Sequence, residues 1–394
     1  MSDILTRPER LVKITPEELR STAFTVEEKI KLRRDVTRRF RGGVTPYLSS
    51  LIKKSDAIRR QFVPYYLEGL DFGRDAPFEE GKNNRGIYGI ERIYEDRAVL
   101  TPYFDCAAYC RYCFKKTRTL AGDAPVMSED NIRRALDYIA GDPRIDTVLI
   151  TGGDPLARPD MLEGILDGIA LIPHVNKIRI GTRHILFNPE HITGELCRLL
   201  ARYNKPSTVD PLRGRSLSLG VSFNHSDELT VEVAEALQRI TAHGLGIRGQ
   251  IVLLKGINDD AAALRALLDR FVMLSIVPYY LFHCMDVTGT YHLRTSVQKG
   301  IDILSKLASR SGVYAPTYVY VTPVGKHRIG PGSRLDYQFI DGKKYIRSVS
   351  PYVADEFLAF SGQQKLPPLH SRNEDGFVVS HYLDGDDEVL NWPT

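Results

Sequence analysis

Three cysteines fall within eight residues, in the run Phe104-Asp-Cys106-Ala-Ala-Tyr-Cys110-Arg-Tyr-Cys113-Phe-Lys-Lys116. Thiolates at spacings of four and three can wrap one small inorganic object. A structural zinc ion asks for four protein ligands. The remaining cysteines, Cys197 and Cys284, stand alone, so zinc would have to recruit a nearby histidine. The alternative is a [4Fe–4S] cluster held at three irons, with the fourth open to a ligand. An open iron is useless for plain electron storage and valuable for binding a substrate or cofactor. Five cysteines, an odd count with one tight cluster, argue against a disulfide framework and for a metal site in a reducing compartment.

Such a loop needs a scaffold, and a rhythm of short β-branched and aromatic runs supplies one. The spacing predicts strands at Ala98–Tyr103, Thr147–Thr151, Lys177–Gly181, Ser216–Ser222, Arg248–Leu254, Val277–Phe282 and Thr317–Val321. Between them lie helical stretches at Asp130–Ala140, Pro159–Ala170, Glu190–Tyr203, Asp227–His243, Ala261–Met273 and Val297–Arg310. Val233, Leu237 and Ile240 mark the buried face of the fourth. Strand–helix repeats of this length imply right-handed crossovers and a parallel sheet. The units are too few for an eightfold barrel, so the expected fold class is α/β, a partial (β/α)6-type barrel with its chemistry at the C-terminal strand ends. Residues 1–95 are expected to form a mostly helical extension, with breaks at Gly42-Gly43, Pro64 and Glu79 to Arg85. The barrel is expected over 96–315 and a C-terminal segment over 316–394, whose end beyond about 350 reads as a loose tail or lid.

The expected strand ends carry the special residues. The cysteines follow the first strand, Gly152-Gly153-Asp154-Pro155 the second and Thr182-Arg183 the third. Asn224-His225, Lys255 to Asn258 and His283 to Asp286 follow the next three. A second glycine pattern, Gly244-Leu-Gly246-Ile-Arg-Gly249, precedes a strand instead of following one and is a turn. Composition narrows the class further. Over 394 residues, 43% are apolar and 26% charged, as in an ordinary globular protein. A net charge of +4 gives no nucleic-acid surface. The basic run from Lys29 to Arg41 reads as the solvated face of an amphipathic helix. No apolar run reaches the ~18 residues of a membrane span, and the charged N-terminus argues against a signal peptide and for the cytoplasm.

The C-x3-C-x2-C pattern with Tyr112 before its last cysteine resembles that of radical S-adenosylmethionine enzymes. Gly152 to Pro155 is similar to that superfamily's methionine-amine-binding turn. In those enzymes the open iron chelates S-adenosylmethionine, and an electron from the cluster releases a 5′-deoxyadenosyl radical. From about residue 40 to 350 the chain resembles the lysine 2,3-aminomutase family. The resemblance is carried by Val44-Thr-Pro-Tyr-Leu-Ser-Ser-Leu-Ile52, Leu149-Ile-Thr-Gly-Gly-Asp-Pro-Leu156, Arg179-Ile-Gly-Thr-Arg183 and Phe223-Asn-His225. Gln250 to Asp259, Val277-Pro-Tyr-Tyr280 and His292-Leu-Arg-Thr295 extend it.

That resemblance implies a PLP-dependent 1,2 shift of an amino group, Tyr112, Arg183, His225 and Gln250 near S-adenosylmethionine, and pyridoxal 5′-phosphate (PLP) held by a lysine. The family's lysine ends a Pro-Gly-Gly-Gly-Gly-Lys run. Here the run reads Thr322-Pro-Val-Gly-Lys326, two residues shorter, with Lys326 still five residues before Pro331. Arg97, nine residues before Cys106, matches a phosphate-binding arginine. Its companion falls on Ile93, with Arg92 one step away. The arginine for the substrate carboxylate falls at Lys115, which keeps charge without the bidentate fork. The two carboxylates that receive the ammonium of lysine fall on Met285 and Val321, where an ammonium would be badly solvated. Asp286 is the nearest carboxylate, one residue over and turned from that direction by strand alternation. The family's C-terminal zinc cysteines are missing.

The leading expectation is therefore an aminomutase acting on an amino acid other than free lysine, a small-molecule substrate, with a flavodoxin or ferredoxin as reductant and homo-oligomerisation left open. A competing one keeps the radical and drops PLP, as in an epimerase, dehydrogenase or dehydratase. A third is a non-enzymatic iron–sulfur protein using the open iron for sensing or delivery.

Overall fold

The computed structural model describes residues 26–31, 36–69, 86–120, 126–206, 214–308 and 315–387. The expected break at Glu79 to Arg85, Arg33 and Arg34 of the basic run, and Glu388 lie outside them. Ten strands form one sheet: β1 (Ile90–Tyr94), β2 (Arg97–Leu100), β3 (Thr147–Ile150), β4 (Lys177–Thr182), β5 (Lys205–Pro206), β6 (Gly214–Ser222), β7 (Gly246–Leu253), β8 (Val277–His283), β9 (Thr317–Thr322) and β10 (Gly325–Ile329). From β2 to β9 the neighbours in the order β2-β3-β4-β6-β7-β8-β9 are parallel. A helix follows each of the first six of those strands, giving the six strand–helix units of a partial barrel.

The helices begin where short polar side chains can accept the first free amides. Ser128 caps Glu129–Ala140, Thr230 caps Val231–Ala242 and Asp260 caps Ala261–Met273. Each turns an apolar stripe inward; Val233, Ala236, Leu237 and Ile240 are buried together against the sheet. Among the described residues no helix is long and apolar enough to cross a membrane.

The expected divisions at 95/96 and 315/316 both cut the sheet. β1 lies in the supposed helical extension and pairs antiparallel with β2 across a tight turn at Glu95-Asp96. β9 and β10 lie in the supposed C-terminal segment, and β9 is the last parallel strand. The edge strands β1 and β10 meet through one side chain: the Tyr94 hydroxyl accepts the Lys326 backbone N–H at 2.9 Å. The barrel thus closes at the lysine.

Over the described residues the tail is folded, not loose. β11 (Asp336–Ile340), β12 (Lys343–Val353), β13 (His370–Arg372) and β14 (Phe377–Leu383) make a second, antiparallel sheet in the order β11-β12-β14-β13. Tyr382 of β14 is buried, stacks on Tyr320 of β9 at 4.5 Å and hydrogen-bonds His283 of β8 at 2.8 Å. The acidic end caps the helix Val297–Ala308: Asp384 accepts from the Val297 N–H and Asp387 from the Ser296 N–H, each at 2.8 Å. Carboxylates belong there because the first amides of a helix lack partners and carry its positive dipole end.

Candidate active site

Gly152 and Gly153 fix where the cysteine loop starts. Gly152 has φ +122°, and a Cβ there would sit 2.6 Å from the Tyr103 carbonyl oxygen. A Cβ on Gly153 would overlap the Asp105 carbonyl oxygen at 2.1 Å. With neither present, the Gly153 N–H donates to Tyr103 and the Asp154 N–H to Asp105, at 2.7 and 3.0 Å. The Asp154 carboxylate is buried and accepts from the Thr182 hydroxyl and the Arg183 N–H, both at 2.7 Å. One turn therefore locks the ends of β3 and β4 against the cysteine loop.

Cys106, Cys110 and Cys113 line one cavity of about 320 Å³ inside the barrel. Burial pushes the Cys106 thiol up, and so does the charge of Asp154 and of the other two thiols. Cys113 is pushed up to about 11 by burial and by Cys110. Such a crowd of thiolates calls for a cationic object between them. Among the described residues no His, Cys, Asp or Glu donors converge in threes on a single ion. Three thiols opening onto one space suit three corners of a cluster.

The same cavity is lined by alternate residues of nearly every barrel strand, because side chains on a strand point in and out with a period of two. It takes Glu91 and Tyr94 from β1, Arg97 from β2, Arg179 from β4, Gln250 from β7, Tyr280 and Phe282 from β8, Val321 from β9 and Lys326 from β10. Tyr112, Lys115, Gly152, Gly153, Asp154, Arg183 and Met285 line it from the loops at the strand ends. Lys326 and the three cysteines, 213 or more positions apart in sequence, thus open onto one space.

Lys326 is held by a hairpin whose turn is only Pro323-Val324. Gly325 has φ +118°, and a Cβ there would stand 3.3 Å from the Tyr94 hydroxyl. The Lys326 ammonium lies 5.0 Å from the Tyr94 ring centre and 5.5 Å from that of Tyr280. Burial, then the charges of Arg97 and Arg179, push its pKa down to about 7. Arg97 has a buried Nε with no hydrogen-bond partner among the described residues. Lys115 is buried between Phe104 and Phe114, with Glu91 at 3.4 Å.

Four expected positions fall elsewhere. Asp286 is not among the cavity-lining residues and faces Arg294 at 3.9 Å. His225 turns back on its own loop, its Nδ1 accepting from the Asp227 N–H at 3.3 Å. Pro155 is buried in the first turn after β3 and does not reach the cavity. Arg92 points out of the barrel to Asp142 at 2.6 Å, as its place next to the inward Ile93 demands.

Arg179 was not anticipated, although its signal was in the sequence: it alternates with the core residues Ile178 and Ile180 and so must face the interior. Glu68 carried no such signal. It is fully buried, 38 residues before Cys106, and joins Arg111 at 2.6 Å and Lys116 at 2.7 Å.

Residues 100–268 match the family model of the radical SAM superfamily. The chain is 34% identical over 321 residues to the glutamate 2,3-aminomutase of Clostridioides difficile, covering 79% of this chain and 73% of that one. It is 33% identical over 350 residues to the L-lysine 2,3-aminomutase of Fusobacterium nucleatum, covering 82% and 79%. Streptococcus suis SuiB bound to S-adenosylmethionine aligns with a TM-score of 0.41 at 16% identity, over 56% of this chain and 49% of that one. The family model and the two aminomutase relatives make the protein a radical S-adenosylmethionine enzyme of the isomerase type, a diverged member of the lysine 2,3-aminomutase family.

Proposed function

We propose that the enzyme moves an amino group from Cα to Cβ of an amino acid other than free lysine, using PLP held by Lys326. The observation that carries this reading is the shared cavity, lined both by a buried lysine of lowered pKa and by the three cysteines. A lysine near pKa 7 presents a free amine at neutral pH, which a carbonyl cofactor needs. Arg97 and Arg179 stand close enough to depress that amine, and both line the cavity. Two guanidiniums beside a buried lysine are a sink for a phosphate, and the unpaired Arg97 Nε suits one.

When bound, S-adenosylmethionine on the cluster supplies a hydrogen-abstracting radical, and PLP supplies a π-system that carries the migrating nitrogen. The chain's own residues do the rest. Cys106, Cys110 and Cys113 hold three corners of the cluster. The backbone of the Gly152 to Asp154 turn and Gln250 orient S-adenosylmethionine against it. Lys115, shared with Glu91, is the cation for the substrate carboxylate. The barrel wall excludes water from the reacting centre.

Arg97, Lys115, Arg179 and Arg183 line the cavity beside the Lys326 amine, against two carboxylates. Asp154 is satisfied by Thr182 and the Arg183 amide, and Glu91 is paired to Lys115. Met285 and Val321 add no charge. A second ammonium on the substrate would thus find no anion free to receive it, which argues against lysine. A small reductant of the flavodoxin or ferredoxin type supplies the electron.

The test is an amino-acid panel with reduced, PLP-loaded enzyme and S-adenosylmethionine well below the substrate concentration. The expected result is a β-amino acid in many-fold excess over the S-adenosylmethionine present. One S-adenosylmethionine consumed and one deoxyadenosine released per product, with PLP dispensable, would replace the mutase with a PLP-free radical enzyme.

A further inference from the structure

We propose that Arg183 is a positioning residue that sets the reduction potential of the cluster, by donating a hydrogen bond to the Cys110 thiolate. The sequence alone assigned it to S-adenosylmethionine; its contacts point to the cluster ligand instead. Its Nη1 donates to Cys110 Sγ at 2.9 Å. Its Nη2 donates to Gln61 Oε1 at 2.7 Å and to Glu228 Oε2 at 2.9 Å, and its Nε to the Ser222 carbonyl at 3.2 Å.

The arrangement is not an ordinary ion pair. A guanidinium that served only Glu228 would meet it with two parallel N–H bonds. Here the fork is split, one arm on the carboxylate and the other on sulfur. Glu228 is in turn fully committed, with Oε1 on the Gln61 amide at 2.6 Å and Oε2 on the Asn224 N–H at 3.1 Å. Gln61 Oε1 also accepts from the Asn224 side chain at 3.0 Å, which closes a ring of four buried groups. The Arg183 plane is further packed against Phe62 and Tyr112, with ring centres 4.9 and 5.3 Å away. This side chain has no other position to adopt.

The consequence follows from charge. Reducing a [4Fe–4S] cluster adds one electron, spread over iron and sulfur. A positive N–H donor fixed at a thiolate in a low-dielectric site stabilises the reduced form more than the oxidised one and raises the potential. Glu228 acts with the opposite sign. A second side-chain donor on a cysteine of the loop, the Thr119 hydroxyl on Cys113, stands at 3.7 Å and carries no charge.

The experiment is an EPR-monitored dithionite titration of the anaerobically reconstituted enzyme, without S-adenosylmethionine, with iron content measured for each variant. Arg183→Met is expected to shift the potential negative, Arg183→Lys to fall between it and wild type, and Glu228→Gln to shift it positive. Thr119→Val should move it less than Arg183→Met. An Arg183→Met enzyme with full iron that titrates at the wild-type potential would overturn the proposal. Loss of the S-adenosylmethionine-induced EPR change in that variant would return Arg183 to the cofactor. Should Arg183→Met fail to take up iron, Glu228→Gln and Arg183→Lys decide by the same signs. None of these readings depends on whether Lys326 holds PLP.

Discussion

The cysteine loop and the Lys326 hairpin face one cavity, yet buried charge holds the first, and a hydroxyl with a glycine holds the second. Glu68 reaches from the N-terminal extension into the cysteine loop. It takes Arg111 and Lys116 on one fully buried carboxylate. Its pKa falls to about 2 because the two cations outweigh its burial. Lys116 also donates to the Gly289 carbonyl at 2.9 Å, so the loop is tied to the far side of the barrel mouth. The Tyr109 and Arg111 amides add bonds to Gly43 and Gln61 of the extension. The Lys326 hairpin has the Tyr94 hydroxyl, a two-residue turn and a left-handed glycine. A cluster loop must keep three ligands in register, whereas a lysine needs one amine in reach. On the proposed function, the difference accounts for a shortened glycine run at one place and an overdetermined loop at the other.

Breaking the charged side should have the largest effect. Glu68→Ala leaves two buried cations without an anion, at a cost of about 3–5 kcal/mol. Denaturant unfolding should lose that much, and iron uptake should fall with it. An unchanged midpoint would show that the extension does not clamp the loop. On the hairpin side, Gly325→Ala forces a Cβ toward the Tyr94 hydroxyl at a backbone angle that L residues avoid. About 1–3 kcal/mol is expected there, together with weaker PLP uptake and normal iron content. Iron loss in that variant would merge the two regions that are separated here.

A pH series sharpens the comparison. Burial and two arginines disfavour the Lys326 ammonium, so the amine is protonated below about 7 and free above it. The rate of PLP capture should rise through about 7 and level off, whereas an ordinary lysine would still be gaining above 9. Arg97→Leu removes one repelling charge and should move the inflection up. Movement downward would contradict the electrostatic account. The smallest change is Tyr94→Phe, which removes the acceptor of the Lys326 backbone N–H and, at 3.4 Å, of its ammonium, and should cost about 1 kcal/mol.

The barrel was legible because its strands are dense in Val, Ile and Leu, and the helices between them carry caps and apolar stripes. β1 escaped notice since Ile90-Glu-Arg-Ile-Tyr94 is short and half charged; it is a strand only because β2 pairs with it. The second sheet was hidden for a similar reason, because its buried Tyr382 finds its partners, Tyr320 and His283, across more than 60 positions of chain. In the site, motif positions on the strand ends met in one cavity. Arg92 lies one residue from the cavity-lining Ile93 on β1, where a shift of one residue turns a side chain away, and Asp286 lies in the loop beyond β8. Glu68 could not be read at all, since nothing local distinguishes a buried carboxylate from an exposed one.

The central claim is that Lys326 carries PLP in the cavity shared with the cluster. Borohydride reduction of the anaerobically reconstituted enzyme with PLP, followed by peptide mapping by mass spectrometry, tests it most directly. A phosphopyridoxyl group on Lys326, absent from Lys326→Ala, is the expected result. No adduct on any lysine, with the cluster intact and deoxyadenosine still formed on reduction, would contradict it.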